Sequence, residues 1–262
     1  MGVSKETRKY NALQAVWKNV WQTAAALLFI LLIWSIAYAA VGNDLLVPSV
    51  GDCLKEIGRL LTDGGFWRAF LHTFLRVFYA FGISFVLALI LALISYMVPW
   101  FSRFLSPIVS MFRSLPTLAV LLILLVWAGA AKAPVAVAFL SLFPMLYAGM
   151  AAALSQVDNE LLEMSRVYRV PLKKRVLDLY LPSMSPYVLR EAGAAISFSL
   201  KLVVSAEVLA NTYKSLGGMM QESRLYLEMP TLFALVSFTF LLGLALEFIG
   251  IWTANVVERR VK

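Results

Sequence analysis

The sequence is poor in the side chains that most catalytic and metal-binding sites use. It contains one cysteine, Cys53, and one histidine, His72, in 262 residues. A single cysteine excludes an intramolecular disulfide and a cysteine-based zinc site. A single histidine leaves little for a His-rich metal centre or a nucleophile activated by histidine. We therefore expect no catalytic residues, no metal site and no cofactor bound by this chain.

Charged side chains are scarce as well. They make up 15% of the residues, against about 25% in a typical soluble domain. Hydrophobic residues reach 61% and the mean hydropathy is +0.81, far more than a water-soluble core of this size can bury, so lipid must be part of the solvent. The net charge of +8 does not indicate nucleic acid, because the basic residues are dispersed among loops. Composition predicts an all-α polytopic membrane protein.

Six apolar runs have the length of a membrane span, which needs roughly 20 apolar residues. They fall at 22–41, 69–97, 108–128, 134–153, 187–210 and 231–251. The first is too long for the apolar core of a cleavable signal peptide, so we expect it to remain as a span. Pro107 is predicted to open the third span and Pro134 the fourth, where a missing N–H costs little.

The distribution of lysine and arginine predicts the orientation. With a cytoplasmic N-terminus, fourteen fall in inside segments and six in outside segments. The inside residues are Lys5, Arg8, Lys9, Lys18, Arg103, Arg113, Arg166, Arg169, Lys173, Lys174, Arg175, Arg259, Arg260 and Lys262; the outside ones are Lys55, Arg59, Arg68, Lys132, Lys214 and Arg224. Both termini are therefore predicted to be cytoplasmic.

Two segments outside the spans have amphipathic patterns. Residues 9–21, with two tryptophans among lysines, are typical of an interfacial helix. Ser49, three residues before Asp52, predicts the start of an outer amphipathic helix, which is more simply a structural cover than a receptor contact. The chain divides into an N-terminal segment 1–21, a first span and outer helix 22–64, a core 65–252 and a cytoplasmic tail 253–262.

The loop at 154–186 is the longest inside loop and mixes charges of both signs. Leu161, Leu162, Met164 and Val167 predict an apolar stripe on a short helix. Pro171 disfavours helical geometry at the residue before it, so the helix is expected to end there. A second short helix is predicted over 172–179, broken before Leu181-Pro182. Two amphipathic helices meeting at a bend would form a knob suited to a groove on a partner.

This loop resembles the coupling loop of bacterial ABC importer permeases. The family pattern is Glu-Ala-Ala, three residues, Gly, and then about nine residues to an Ile/Leu-x-Leu-Pro ending. The chain has Glu163-Met164-Ser165-Arg166-Val167-Tyr168-Arg169, then Leu179-Tyr180-Leu181-Pro182. Met164 replaces the second-position alanine and Arg169 replaces the glycine that permits a tight bend. We expect Pro171 to supply that bend here.

Further segments resemble the same family in order and spacing, over roughly 65–250. Three resemble the general permease module: Thr73-Phe74-Leu75-Arg76-Val77, Phe112-Arg113-Ser114-Leu115-Pro116 and Val157-Asp158-Asn159-Glu160-Leu161-Leu162-Glu163. Two resemble its nitrate/sulfonate/taurine-type branch: Ser205-Ala206-Glu207-Val208-Leu209 and Ser215-Leu216-Gly217-Gly218.

The resemblance implies a type I importer permease in a bacterial inner membrane. Two permease chains, identical or homologous, would enclose the pathway. An extracytoplasmic binding protein would deliver a small anion or a vitamin precursor. Cytoplasmic ATPase subunits, which bind ATP and magnesium, would dock on the loop. The docking residues expected from the resemblance are Asp158, Glu160, Leu161, Leu162, Glu163, Ser165, Arg166, Arg169 and Pro171.

Ionisable residues at membrane depth are functional candidates. Lys201 falls about 21 Å into the fifth span; it could line the pathway and attract an anion, or pair with a carboxylate such as Glu247. Glu207 falls near the outer end of the same span. The small residues of this span, including Gly193 and Ser197, allow close helix approach. We expect Lys201, Gly193, Ser197 and Glu207 to lie along the pathway.

Two other classes of protein fit less well. A secondary transporter or channel would show inverted repeats, which are not evident, although Phe143-Pro144 does interrupt the fourth span. A membrane enzyme would need paired catalytic residues at span depth, which this sequence lacks.

Overall fold

The computed structural model of the chain describes residues 21, 25 and 27–261, and every regular element in that part is helical. The predicted interfacial helix over 9–21 lies outside the described residues, apart from Trp21. The elements are α1 Leu27–Val41, α2 Val50–Thr62, α3 Gly64–Met97, α4 Pro99–Ser114, α5 Thr117–Leu154, α6 Asn159–Val167, α7 Leu172–Lys174, a π-helix Arg175–Tyr180, α8 Leu181–Ala210, α9 Leu216–Leu225 and α10 Met229–Val261.

Four helices are long and apolar enough to cross a membrane: α3, α5, the Tyr187–Ala210 part of α8 and the Met229–Val256 part of α10. The described part of α1 is apolar but shorter. These helices confirm the predicted all-helical membrane architecture. Helices α3, α5 and α8 lie at the centre of the bundle and bury a common apolar core, and the other helices pack around them.

The buried face of α3 consists almost entirely of small residues. Beyond Phe66, it carries only alanine, serine, threonine and valine at spacings of three or four. Large apolar side chains such as Leu71, Ile83 and Ile90 lie on the exposed face. In lipid there is no hydrophobic drive between helices, so small residues that allow close backbone approach stabilise the packing. The positions are Ala69, Thr73, Val77, Ala80, Ser84, Ala88, Ala92 and Ser95.

Helix α5 turns back on itself at Gly129. This residue has φ 75° and ψ 166°, a backbone conformation that glycine adopts without the steric cost of a Cβ. Leu121 and Val137 pack in one small cluster with Ala133, although a straight helix would hold them about 24 Å apart. Residues 117–128 and 130–154 therefore form two antiparallel arms, the short arm and the long arm of α5.

The predicted third span over 108–128 is wrong as a single helix. Leu115 is extended, with φ −67° and ψ 129°, because Pro116 disfavours helical geometry in the residue before it. The region is divided between α4 and the short arm of α5, and Pro107 lies inside α4 instead of opening a span. Pro134 likewise lies inside α5.

The predicted helix after the first span is confirmed as α2. The Ser49 side chain caps it by accepting a hydrogen bond from the Asp52 N–H at 3.0 Å. Glu56 ties α2 to α10, because Thr231 donates a hydrogen bond to its carboxylate at 3.1 Å. Arg59 also donates to Glu56, and this pairing holds the pKa of the Glu56 carboxyl below its usual range.

The bundle has two distinct ends. At the α9 end lie α2, α9, the Gly129 corner and the beginning of α10; the Thr212 hydroxyl there donates to the Ala130 carbonyl at 2.9 Å. At the α6 end lie α4, α6, α7 and the beginning of α8. There the Tyr147 hydroxyl donates to Ser95 Oγ at 2.8 Å. The loop that resembles a coupling loop and the α2–α9 surface therefore lie at opposite ends of the molecule.

Candidate functional site

Helix α6 forms the first half of the predicted docking loop. Asp158 begins it, since its side chain accepts a hydrogen bond from the Glu160 N–H at 2.8 Å and its carbonyl accepts one from the Leu162 N–H at 3.2 Å. Carboxylates are favoured at this position because the first amides of a helix lack intrahelical partners. The buried residue Val157 precedes the helix and joins it to the core.

The two faces of α6 have different environments. Leu162 and Ser165 are only 6% and 7% exposed, and Leu162 belongs to the main core. Leu161, Met164 and Val167 are exposed at 42%, 54% and 77%. The predicted apolar stripe is therefore divided, with Leu162 holding the helix to the bundle and the other three presenting an apolar surface.

Arg169 makes the bend that ends α6. Its φ is +49°, the left-handed conformation that costs an ordinary L-residue about 1–2 kcal/mol. The Val170 N–H reaches back to the Ser165 carbonyl at 2.9 Å, the hydrogen bond of a glycine-type helix ending. The expectation that Pro171 supplies the bend is wrong: Arg169 adopts the conformation of the family's glycine, and Pro171 precedes α7.

The predicted break before Leu181-Pro182 is also wrong. Helical geometry continues from α7 through the π-helix Arg175–Tyr180 into α8. The wider π turn accommodates Pro182, which has no N–H to donate to the preceding turn. The side chain of Arg175 donates to the Val170 carbonyl at 3.3 Å, which ties the bend to this rod. The predicted short helix over 172–179 is therefore the first part of a longer one.

In α8, Gly193 lies where the helix crosses α10. A Cβ placed on Gly193 would lie 2.6 Å from the Cα of Gly250, so the two backbones touch and neither position has room for a side chain. Ser197 lies further along the same contact, 2% exposed and facing Gly243. Gly193 and Ser197, predicted to lie along the pathway, therefore both face α10 of the same chain.

Lys201 lies on the open side of α8. Its side chain is exposed, on a row that includes Phe198, Ser205 and Leu209. Within 27–261 it makes no ion pair with Glu247 or another carboxylate. The alternative in which Glu247 neutralises Lys201 is therefore not seen in the described part of the chain.

Glu207 lies at a buried junction of three helices. It is 0% exposed and pairs with Arg76 of α3 at 2.8 Å. Its carboxylate accepts hydrogen bonds from the Thr73 hydroxyl at 2.8 Å and from the Gly217 N–H at 3.2 Å. Thr73 in turn accepts from the Leu216 N–H at 2.9 Å. Glu207, predicted to lie along the pathway, therefore joins α8 to α3 and to the beginning of α9 inside the chain.

The family comparison matches most of this architecture. Residues 84–262 match the family described as "binding-protein-dependent transport system inner membrane component", which includes α6, the π-helix, α8 and α10. The chain belongs to this family. It is therefore a transmembrane transport component of the ABC permease type.

Curated relatives of this permease include two proteins from Brucella. Probable ABC transporter permease proteins of Brucella melitensis biotype 1 and Brucella abortus strain 2308 are each 28% identical over 144 residues. The match covers 55% of this chain and 58% and 57% of theirs. The chain thus spans less than two thirds of the length of the curated relatives it matches.

Solved structures share the fold of this permease. A chain of the MetNI methionine ABC transporter, solved in inward-facing conformations, aligns with a TM-score of 0.61 at 19% identity, covering 73% of this chain and 93% of that one. A chain of an amino acid ABC transporter solved with histidines gives a TM-score of 0.57 at 19% identity, covering 72% and 91%. Both show the type I permease fold.

In this permease, most of the predicted docking residues lie at the surface of the α6 end. The side chains of Asp158, Glu160, Glu163, Arg169 and Pro171 are exposed, while that of Arg166 lies outside the described part. The sequence did not reveal the Thr73–Arg76–Glu207 junction. Thr73 and Arg76 stand in one of the segments with family resemblance and Glu207 stands in another, and nothing in either segment indicated that these residues meet.

Proposed function

We propose that the chain is the permease subunit of an ATP-driven importer in a bacterial inner membrane. In this proposal it forms half of the solute pathway, with a second permease chain as the other half. The ATPase subunits dock on α6 from the cytoplasm, and an extracytoplasmic binding protein delivers solute to the α9 end. The exposed apolar surface of α6, formed by Leu161, Met164 and Val167, carries the proposal, since an exposed apolar patch rimmed by charged residues marks an interaction site.

Six membrane crossings follow from the fold in this proposal. They are α1, α3, the two arms of α5, α8 and α10, with α2 and α9 on the outer surface. The short arm of α5 is about 18 Å long, less than the roughly 30 Å of hydrocarbon, so part of that crossing is completed by α4 and the Leu115-Pro116 bend. The excess of basic residues at the α6 end supports a cytoplasmic α6 end and cytoplasmic termini.

The docking proposal uses the two faces of α6. Leu162 anchors the helix to the bundle, so a subunit that grips Leu161 and Met164 moves the core with them. The charged residues Asp158, Glu160, Glu163 and Arg169 surround this apolar patch and can fix its orientation on the partner. This arrangement is a small helix laid into a groove of another protein.

Lys201 supports a second permease chain and a charged solute. An exposed ammonium near the middle of a membrane span is costly against lipid and is usually turned toward a wet cavity or a protein partner. A second chain facing this side of α8 would enclose it, and the ammonium would then attract an anionic group on the solute. Small sulfonates, taurine and nitrate fit this charge; a vitamin precursor remains an alternative solute.

The docking proposal can be tested with paired substitutions of exposed leucines. Leu161→Glu puts a charge on the α6 patch, and Leu225→Glu does the same on α9, where the side chain is 62% exposed. We expect Leu161→Glu to abolish copurification of the ATPase subunits and ATP-dependent uptake, with normal membrane insertion. Charge reversal at Glu163 should weaken the same association, and Leu225→Glu should leave it unchanged.

Two results would contradict the proposal. Normal copurification of ATPase subunits with the Leu161→Glu variant would remove α6 as the docking site. Solute uptake by the purified chain in liposomes without ATP would instead support a secondary transporter or channel.

A further inference from the structure

Two cavities lie beside α8 near the α6 end of the bundle. The first, of about 440 Å³, lies between the end of α4, the long arm of α5 and α8, and Arg113 and Phe198 are among its lining residues. The second, of about 240 Å³, lies between the end of the long arm of α5 and the beginning of α8, and Tyr187 and Arg190 help to line it. Glu191 lines both cavities.

The side chain of Glu191 lies across the backbone of α5 at Gly149. A Cβ placed on Gly149 would lie 3.2 Å from Cγ and 3.3 Å from Cδ of Glu191. These separations are tight for carbon atoms, so the glycine leaves just enough space for the glutamate side chain. The half-buried carboxylate therefore stands between the two cavities.

Each cavity combines this carboxylate with one arginine. Arg113 and Glu191 are the charged residues that line the first cavity, and Arg190 and Glu191 are those that line the second. Glu191 lies about 6 Å into the span that begins at Tyr187. Charged groups at such a depth usually face a water-filled space that ions or polar solutes can enter.

We propose that Glu191 is a charge-selecting residue of the pathway, on the route between the first cavity and the α6 end. This inference rests on the proposed transport function. In this proposal, a solute that leaves the first cavity toward the α6 end passes beside the Glu191 carboxylate, which itself fills the space against Gly149. At the carboxylate itself, the negative charge attracts a cationic group of the solute and repels an anionic one, because low-dielectric walls strengthen its field. Arg113 and Arg190 act in the opposite sense, each in its own cavity.

The proposal narrows the class of solute. A zwitterion can place its anionic group near Arg113 or Lys201 and its cationic group near Glu191. A simple inorganic anion has no group for the carboxylate and meets repulsion at this point. We therefore assign to this permease a small zwitterionic solute in preference to an anion such as nitrate.

The charge selection can be measured without knowing the solute. Phe198→Cys, in a chain where Cys53 is replaced by alanine, places one thiol in the first cavity. Membrane vesicles containing the chain with its partner subunits are treated with two impermeant thiol reagents of opposite charge, sulfonatoethyl and trimethylammonioethyl methanethiosulfonate. Both inverted and right-side-out vesicles are used, and a separate Tyr168→Cys variant, 75% exposed at the end of α6, reports which kind exposes the α6 end.

Each reagent is applied to Phe198→Cys from the α6 end, and its modification rate is divided by its rate with a free thiol. Adding Glu191→Gln should lower this cation-to-anion rate ratio about tenfold, the effect expected of one unit charge met within a few ångströms in a wet cavity. Glu247→Gln is the matched control: this half-buried carboxylate lies on α10, is not among the residues lining either cavity, and should leave the ratio unchanged.

The remaining outcomes would overturn the proposal. An unchanged ratio in Glu191→Gln, or an equal change in Glu247→Gln, would show that Glu191 does not select by charge. Failure of both reagents to reach Phe198→Cys from the α6 end would show that the cavities do not connect to that end. If Glu191→Gln lowers the modification ratio as expected but the complex shows no ATP-dependent uptake, the transport proposal fails and the charge-selection proposal does not. The two failures can therefore be distinguished.

Discussion

At the scale of single residues, Thr73 and Glu207 form a fully buried polar contact in which each group depends on its partner for a hydrogen bond. One hydroxyl donates to the carboxylate at 2.8 Å and accepts from the α9 backbone at 2.9 Å. Both residues are 0% exposed. A buried group that loses its partner costs about 1–3 kcal/mol, and a buried charge that loses its ion-pair partner costs about 3–5 kcal/mol.

Thr73→Val should therefore lower the stability of the protein, because it keeps the shape of the side chain and removes both hydrogen bonds. We expect a loss of roughly 2 kcal/mol, seen as a lower thermal unfolding midpoint in detergent. Ser84→Ala is the control on the same buried face of α3. Its hydroxyl bonds only the Ala80 carbonyl of its own helix, so its loss should have a small effect; equal effects of the two substitutions would contradict the assigned role of Thr73.

Arg169 gives a second prediction at this scale, since its backbone is left-handed. Arg169→Gly should keep the bend and the docking of the ATPase, because glycine adopts this conformation freely. Arg169→Val should lower stability further, because a β-branched side chain tolerates the left-handed conformation less well than arginine does, and it should weaken docking. Arg169→Lys keeps both the positive charge and an unbranched side chain, and it should behave as the natural chain does. Thermal unfolding and ATPase copurification measure both effects, and a fully functional Arg169→Val variant would contradict them.

At the scale of helices, the crossing of α8 and α10 depends on two glycines. Gly193→Ala should force the helices apart, because the new Cβ meets the Gly250 backbone rather than a flexible side chain. We expect a lower unfolding midpoint and reduced uptake or assembly. Gly82→Ala on α3, where nothing lies within 4 Å of the new Cβ, should be tolerated or slightly stabilising. Normal uptake by Gly193→Ala would show that this close approach is dispensable.

The helices themselves were largely predictable, and their corners were not. Hydropathy found the long arm of α5 and the membrane parts of α3, α8 and α10, because a span must be apolar along its whole length. Hydropathy also joined the end of α4 to the short arm of α5 as one span, because both are apolar. The break at Pro116 affects a single residue and does not change the hydropathy of the run. The hairpin at Gly129 depends on one residue with a positive φ, and a single glycine in an apolar run is not enough to predict such a turn.

Contacts between segments that are distant in the sequence could not be predicted either. The alternative that Lys201 pairs with Glu247 followed from charge alone, and the described structure does not contain this pair. The true partner of a membrane carboxylate, Arg76 for Glu207, lies 131 residues away. Sequence spacing shows which residues share a helix face, but not which face of another helix they meet.

At the scale of the whole molecule, the two ends of the bundle should face opposite sides of the membrane. Tyr213, at the α9 end, is 81% exposed, and Tyr168, at the α6 end, is 75% exposed. In intact cells a membrane-impermeant maleimide should label Tyr213→Cys from outside, and should label Tyr168→Cys only in inverted vesicles. Labelling of both from the same side would contradict the proposed topology.

The native thiol should not interfere with this measurement. Cys53 is 2% exposed, and burial raises its pKa to about 11, so only about one thiol in a thousand is in the reactive thiolate form at pH 8. An unsubstituted chain should therefore remain unlabelled in both kinds of vesicle.

The unbroken passage from α7 into α8 makes the region a single rod. From Leu172 to Gly193 the rod measures about 32 Å, and from Gly193 to Ala210 about 26 Å. The close contact with Gly250 lies between these two parts, and Glu207 joins the far part to α3 and α9. A displacement of the α6 end would therefore be carried along one continuous helix to the Glu207 junction at the opposite end of the bundle.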